Sequence, residues 1–146
     1  MVRVKMDKKL SVIVTNDGNI PSKYAHSFNV MKMAQGFYDN NCDVRLISLQ
    51  SLPNIISRLF LGKIHKYYTI NKKIKLIFLP VFNKDYFKKS IGVKSFNKTA
   101  AQYIKKRKPD IVFCRSYKTV IECVKRGLAT IVETHSTNYD HPDLEL

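Results

Sequence analysis

Tryptophan is absent from this 146-residue chain, cysteine occurs three times, and glycine and proline only five times each. So little glycine and proline excludes collagen-like repeats, low-complexity tracts and linker-rich architectures. Cys42, Cys114 and Cys123 are odd in number and scattered, with no C-x-x-C pair and no neighbouring pair of histidines. They signal neither a disulfide framework nor a zinc site and read as buried thiols in a reducing cytosol. No apolar run approaches the ~18 residues that a bilayer-spanning helix requires. The stretch between the basic N-terminus and Asn16 is also too short for a signal-peptide core. The expected location is cytoplasmic.

Acids are scarce as well: 11 Asp and Glu stand against 26 Lys and Arg, a net charge of +15. Within residues 63–108, thirteen lysines and one arginine face a single acid, Asp85. Such a segment, interleaved with Phe and Tyr, suits an anionic membrane surface, a nucleic acid or another polyanion, because all three exploit the same field. Lysine outnumbers arginine 20 to 6 and asparagine occurs 10 times, a bias that AT-rich coding sequence also produces without selection for binding. An anionic membrane reached through residues 63–108 is one candidate partner, and it would make the protein peripheral on the inner membrane face. Against nucleic acid stands the lack of an RRM aromatic signature, a KH-type G-x-x-G pattern or zinc-finger spacing.

What is present is a regular alternation of strand and helix patterns. Residues 10–15 (LSVIVT) form an apolar, β-branched run of the kind buried on both faces of a sheet, broken by the turn-forming residues 16–19. Phe28, Met31, Ala34, Phe37 and Tyr38 recur at helical spacing. With Ser22 as N-cap and Asn40-Asn41 as an αL stop, a helix over residues 23–40 follows. Further strands are expected at residues 43–49, 75–80, 110–114 and 129–133. Helices are expected near residues 53–61, around Phe96 to Ile104, and over 118–126 up to Gly127. Residues 137–146 lack periodicity. The fold class is therefore α/β: a Rossmann-like parallel sheet with helices on both faces.

Such sheets bind ligands at the carboxyl ends of their strands. Three segments should meet there: residues 16–22 after the first strand, Arg115 and Ser116 after the fourth, and residues 133–136 after the fifth. The first loop carries Asn16, Asp17 and Gly18 but neither G-x-G-x-x-G nor G-x-x-x-x-G-K, so dinucleotide and P-loop binding lose their usual support. Ser22 and the helix N–H groups beside it could receive a phosphate or a sugar hydroxyl, or Ser22 only caps. Tyr24 could line the site or only pack, and His26 could reach it or lie idle on the surface. His135 directly follows an apolar strand, with Glu133 two residues earlier on the same side of the pleat, where a carboxylate can fix an imidazole tautomer. Arg115 suits an anionic or polyhydroxyl ligand, or is spent on an ion pair with Glu133. His135, Asp140, His141 and Asp143 match no metal-ligand spacing, and no metal is expected.

Residues 20–37 (IPSKYAHSFNVMKMAQGF) resemble the first loop and helix of family-4-like GT-B glycosyltransferases, and residues 109–116 (PDIVFCRS) and 131–135 (IVETH) resemble that family's fourth and fifth strand ends. The resemblance implies one lobe of a GT-B fold, with residues 1–146 as an incomplete N-terminal, acceptor-side domain. The C-terminal donor-binding lobe would hold the nucleotide-sugar, which is a co-substrate, and no cofactor is implied. Carried over by position, His135 resembles the histidine facing the transferred sugar and is the catalytic candidate. Asn16, Asp17, Gly18, Ser22, Tyr24 and His26 fall in the acceptor and diphosphate contact loop, while Arg115 and Glu133 sit at the neighbouring strand ends as substrate-binding candidates. The sequence departs from the family in having Asp17-Gly18-Asn19 where many relatives carry a Gly-Gly pair, and Asn41-Cys42 where Gly-His is common. The implied function is to receive a glycan, lipid-linked or small-molecule acceptor, with the 146-residue chain inactive alone. The rival readings are a non-enzymatic basic module binding nucleic acid or anionic lipid, and a lobe of a nucleotide-sugar epimerase.

Overall fold

A computed structural model describes residues 8–50, 63–80 and 89–134. The expected helix near residues 53–61 and the whole segment from His135 onward, including Asp140, His141 and Asp143, lie outside the described residues. Among the described residues nine elements follow one another: β1 (Ser11–Asn16), α1 (Ala25–Asp39), β2 (Asp43–Gln50), α2 (Ile64–Tyr67), β3 (Lys75–Pro80), α3 (Lys89–Arg107), β4 (Ile111–Cys114), α4 (Tyr117–Val124) and β5 (Thr130–Val132).

The five strands form one parallel sheet in the order β3-β2-β1-β4-β5. β1 is central because its apolar run can be buried on both sides, and Val12, Ile13 and Val14 are fully buried. Alternation divides the strand residues between two cores. Val12, Val14, Val44, Leu46 and Phe113 pack with Val30, Met31 and Ala34 of α1 and with Tyr68 after α2. Ile13, Ile47, Val112 and Cys114 pack on the opposite face with Phe96, Ala100 and Ile104 of α3 and with Cys123 of α4. The chain thus winds outward from β1 to β3 along one face, then crosses through α3 to β4 on the other. Between β1 and β4 the winding reverses, and that junction is where open α/β sheets form their ligand crevices.

The helix boundaries depart from the sequence reading at one informative place. Ser22 does not cap α1: the helix begins at Ala25, its N-cap is Tyr24, and no side chain caps it. Ser22 Oγ instead accepts a hydrogen bond from the Tyr24 N–H at 3.1 Å, a serine turn two residues long. Its N–H donates to the Tyr68 hydroxyl at 2.7 Å, and its carbonyl lies within reach of both the Ser27 Oγ (2.9 Å) and the Tyr68 hydroxyl (3.0 Å). The serine that local rules assign to the helix end has its backbone N–H and carbonyl bound instead by a buried tyrosine 46 residues away. At the other end of α1, Asn41 has φ 64° and its N–H reaches Tyr38 O at 3.0 Å, the αL stop expected from its sequence. Gly127, at φ +70°, terminates α4 in the same way.

Candidate functional site

A cleft of about 550 Å³ opens at the carboxyl ends of β1 and β4. Asn16, Asp17 and Gly18 line it from the β1 loop and His26 from the first turn of α1. Arg115, Ser116 and Tyr117 come from the β4–α4 turn, and Glu133 and Thr134 from the end of β5. Parallel strands with short connections place these three segments side by side, as the sequence reading expects.

Each wall is held by its own polar network. The Asn16 side chain bends the loop back by donating from Nδ2 to Gly18 O at 2.9 Å, and Ser48 Oγ at the end of β2 donates to the same carbonyl at 3.2 Å. A loop fixed twice on one carbonyl presents a constant edge to the cleft. His26 leans over that loop, and Tyr24, 63% exposed, stacks on the His26 ring with centroids 5.9 Å apart and planes within 15°. Across the cleft, Arg115 Nε lies 3.4 Å from Glu133 Oε2 and its Nη1 donates to His26 O at 3.4 Å. Asn29 Nδ2 donates to Glu133 Oε1 at 3.2 Å. The Tyr117 hydroxyl donates to Thr134 Oγ1 at 2.6 Å, tying α4 to the end of β5.

Six of the sequence candidates therefore converge: Asn16, Asp17, Gly18, His26, Arg115 and Glu133. Ser22 does not line the cleft and belongs to the Tyr68 knot. Tyr24 reaches the rim through His26. His135 is outside the described residues, although it follows the lining residue Thr134 directly in sequence. The ion pair considered for Arg115 is present, so its guanidinium is a structural brace across the cleft as well as a donor toward it. Asn29 and Tyr117 escaped the sequence reading: Asn29 looks like a solvated helix position, and Tyr117 precedes the expected start of its helix. The one available signal for Tyr117 was its position directly after Arg115-Ser116, in a connection too short to leave the strand end.

The lining carries two carboxylates, Asp17 and Glu133, against the single guanidinium of Arg115. In a chain of net charge +15 the cleft lining thus carries one more acid than base. Hydrogen-bond acceptors, a tied cation and hydroxyls line the cleft, with the stacked Tyr24–His26 pair at its rim. Among the described residues, no group of three or more His, Cys, Asp and Glu is placed to hold a metal ion.

Three buried groups have displaced titrations. The Cys114 thiol at the end of β4 is pushed up by its hydrogen bond to Cys123 and by burial, while Cys123 is drawn down by the same bond. Burial raises the Tyr68 phenol above its ordinary value despite its hydrogen bonds to Ser27 and Ser22. Cys114 is therefore a packed thiol beneath the cleft rather than a nucleophile within it.

No family model matches the chain, and no curated protein matches it. Among solved structures it resembles the C-terminal domain of a hydrogenase from Pyrococcus furiosus, with a TM-score of 0.58 and 16% sequence identity over 87% of this chain and 94% of that one. At that identity the likeness speaks for the α/β Rossmann-like fold alone. No helix among the described residues is long and apolar enough to cross a membrane.

Proposed function

We propose that this chain is the acceptor-side lobe of a GT-B glycosyltransferase, with the β1–β4 cleft receiving the acceptor hydroxyl and a second lobe bringing the nucleotide-sugar. The observation that carries the reading is the location of a cleft lined by two carboxylates, one guanidinium and several hydroxyls at the sheet's reversal point in a strongly basic chain. A phosphate-binding role for the same loop would call for a glycine-rich backbone cradle, and the Asn16–Gly18 edge is closed on itself instead.

In glycosyl transfer the acceptor oxygen forms a bond to the anomeric carbon as the bond to the leaving diphosphate breaks, and the acceptor proton passes to a base or to the leaving group. The lobe's part in this is positional. Asp17 and Glu133 accept hydrogen bonds from sugar hydroxyls, Arg115 keeps the Glu133 carboxylate aimed, and Tyr24 with His26 offers a stacking platform at the rim. His135, directly after Thr134, is the residue assigned to face the transferred sugar, on family resemblance.

Thermal-shift binding of the chain to methyl glycosides, compared with nucleoside diphosphates, tests this reading. Stabilisation by at least one glycoside, lost in Glu133→Ala, is expected. Stabilisation by nucleoside diphosphates alone would replace the acceptor role with a nucleotide-binding one.

A further inference from the structure

In an all-parallel sheet every strand starts at the same edge, so the residues preceding the strands assemble opposite the cleft. At four of the five strand starts they include lysine, β2 being preceded by Asn40, Asn41 and Cys42. β1 is preceded by Lys8 and Lys9, and β3 by Lys72 and Lys73 with Lys75 as its first residue. β4 follows the run Lys105, Lys106, Arg107 and Lys108 at the end of α3, and β5 follows Lys125 and Arg126 at the end of α4. All of these except Arg126 are exposed. The topology gathers onto one edge charges that the sequence spreads from residue 8 to residue 126.

Among the described residues, the acids at this edge are already engaged. Asp43 pairs with Arg45 at 3.5 Å, Glu122 pairs with Arg126, Asp110 holds the Ser11 N–H at 2.8 Å with Lys8 at 3.8 Å, and Asp39 accepts from Gln35 at 2.7 Å. The two arginines are committed too, Arg107 lying 5.0 Å over the Tyr103 ring and Arg126 bound to Glu122. What remains is an array of lysine point charges, without the planar forks and open aromatic faces by which nucleic acids are usually gripped. Two exposed apolar side chains interrupt the array: Leu10, 43% exposed, follows Lys9, and Val124, 46% exposed, precedes Lys125. Against a phosphodiester backbone they gain nothing, whereas at a bilayer they enter the headgroup region beneath the lysines.

We infer that this strand-start edge is a docking face for an anionic lipid bilayer. The cleft then faces away from the membrane, separated from it by the length of the strands, roughly 20 Å at about 3.3 Å per residue. The face is an anchor and does not feed the cleft from the bilayer, which is why it rests on observations separate from the acceptor reading. Each lysine near an anionic surface strengthens partitioning about fivefold.

Co-sedimentation of the full chain with vesicles of phosphatidylcholine, alone or with about one third phosphatidylglycerol, tests the inference. Binding only to the anionic vesicles, weakened by salt, is expected. Replacing Lys105, Lys106, Arg107 and Lys108 by Gln should weaken it by about tenfold or more. Replacing Lys23, Lys32, Lys98 and Lys118 by Gln removes the same charge from other faces and should cost less than about threefold. The chain has no tryptophan, so Leu10→Trp and Tyr24→Trp each provide a single reporter in an otherwise intact protein. Emission from Leu10→Trp should shift to the blue on anionic vesicles and that from Tyr24→Trp should not. Equal losses in the two quadruple variants, equal binding to neutral vesicles, a shift at Tyr24→Trp alone, or tighter binding to duplex DNA than to anionic vesicles would each overturn the docking face.

Discussion

The imidazole of His26 fills the space that a side chain on residue 18 would need: a β-carbon built on Gly18 would stand 2.7 Å from His26 Nε2. The glycine is required by this approach, and its backbone lies outside the left-handed region. His26 is exposed and can swing aside, so Gly18→Ala should change unfolding free energy by less than about 0.5 kcal/mol. The same substitution should move the His26 ring resonances in NMR and weaken glycoside binding by roughly fivefold or more. Unmoved His26 resonances would mean the ring does not pack on the loop.

Arg115 and Glu133 brace the cleft from two adjacent strand ends, at 3.4 Å and mostly screened from solvent. A double-mutant cycle of Arg115→Ala and Glu133→Ala should return a coupling of about 0.5–1 kcal/mol in unfolding free energy. Asn29→Ala, which removes the second hold on the carboxylate, should weaken ligand binding more than it lowers stability. A coupling near zero would leave Arg115 as a donor toward the ligand and no brace.

Tyr68 closes the knot around Ser22 and Ser27. Tyr68→Phe removes the partner of the part-buried Ser22 N–H and should cost about 0.5–1.5 kcal/mol in denaturant unfolding. Because burial raises the phenol's pKa in the folded state, the neutral form is favoured on folding. That contribution is complete below the unfolded value near 10 and is lost as pH rises from there through the folded value. Wild type should therefore lose stability faster than Tyr68→Phe above about pH 10. Parallel pH profiles for the two proteins would show that the phenol stays accessible to hydroxide when folded.

Cys42, Cys114 and Cys123 are all buried. Cys114 is held as a neutral thiol against Cys123. Thiol-specific reagents should label none of the three at neutral pH except through opening of the fold, so labelling should accelerate in step with added denaturant. Rapid labelling of Cys114 in native buffer would place it in the cleft rather than behind it.

Strand positions were legible because β1 and its neighbours are continuous β-branched runs, and Asn41 and Gly127 announced their left-handed stops. The six cleft residues were legible for a topological reason: parallel strands deliver their carboxyl ends to one place whatever their order. Ser22 was misread because capping rules are local, while the competitor for its polar groups, Tyr68, lies in a stretch with no clear period. Asn29 could not be found because its partner, Glu133, is 104 residues away in sequence and meets it only in the folded chain. The run Ile131-Val132 marked a strand correctly, but only the strand order shows that it lies at the end of the sheet, where both residues are exposed. The basic segment 63–108 is contiguous in sequence, whereas its described lysines join those before β1 and after α4 only once the sheet is assembled.

Backbone amide shifts of the labelled chain, followed during titration with methyl glycosides and separately with nucleoside diphosphates, test the acceptor-side reading most directly. The account predicts that a glycoside moves the amides of Asn16, Asp17, Gly18, His26, Arg115, Tyr117, Glu133 and Thr134 together, and that nucleoside diphosphates leave them in place. Shifts at these residues with a nucleoside diphosphate and none with any glycoside would contradict it.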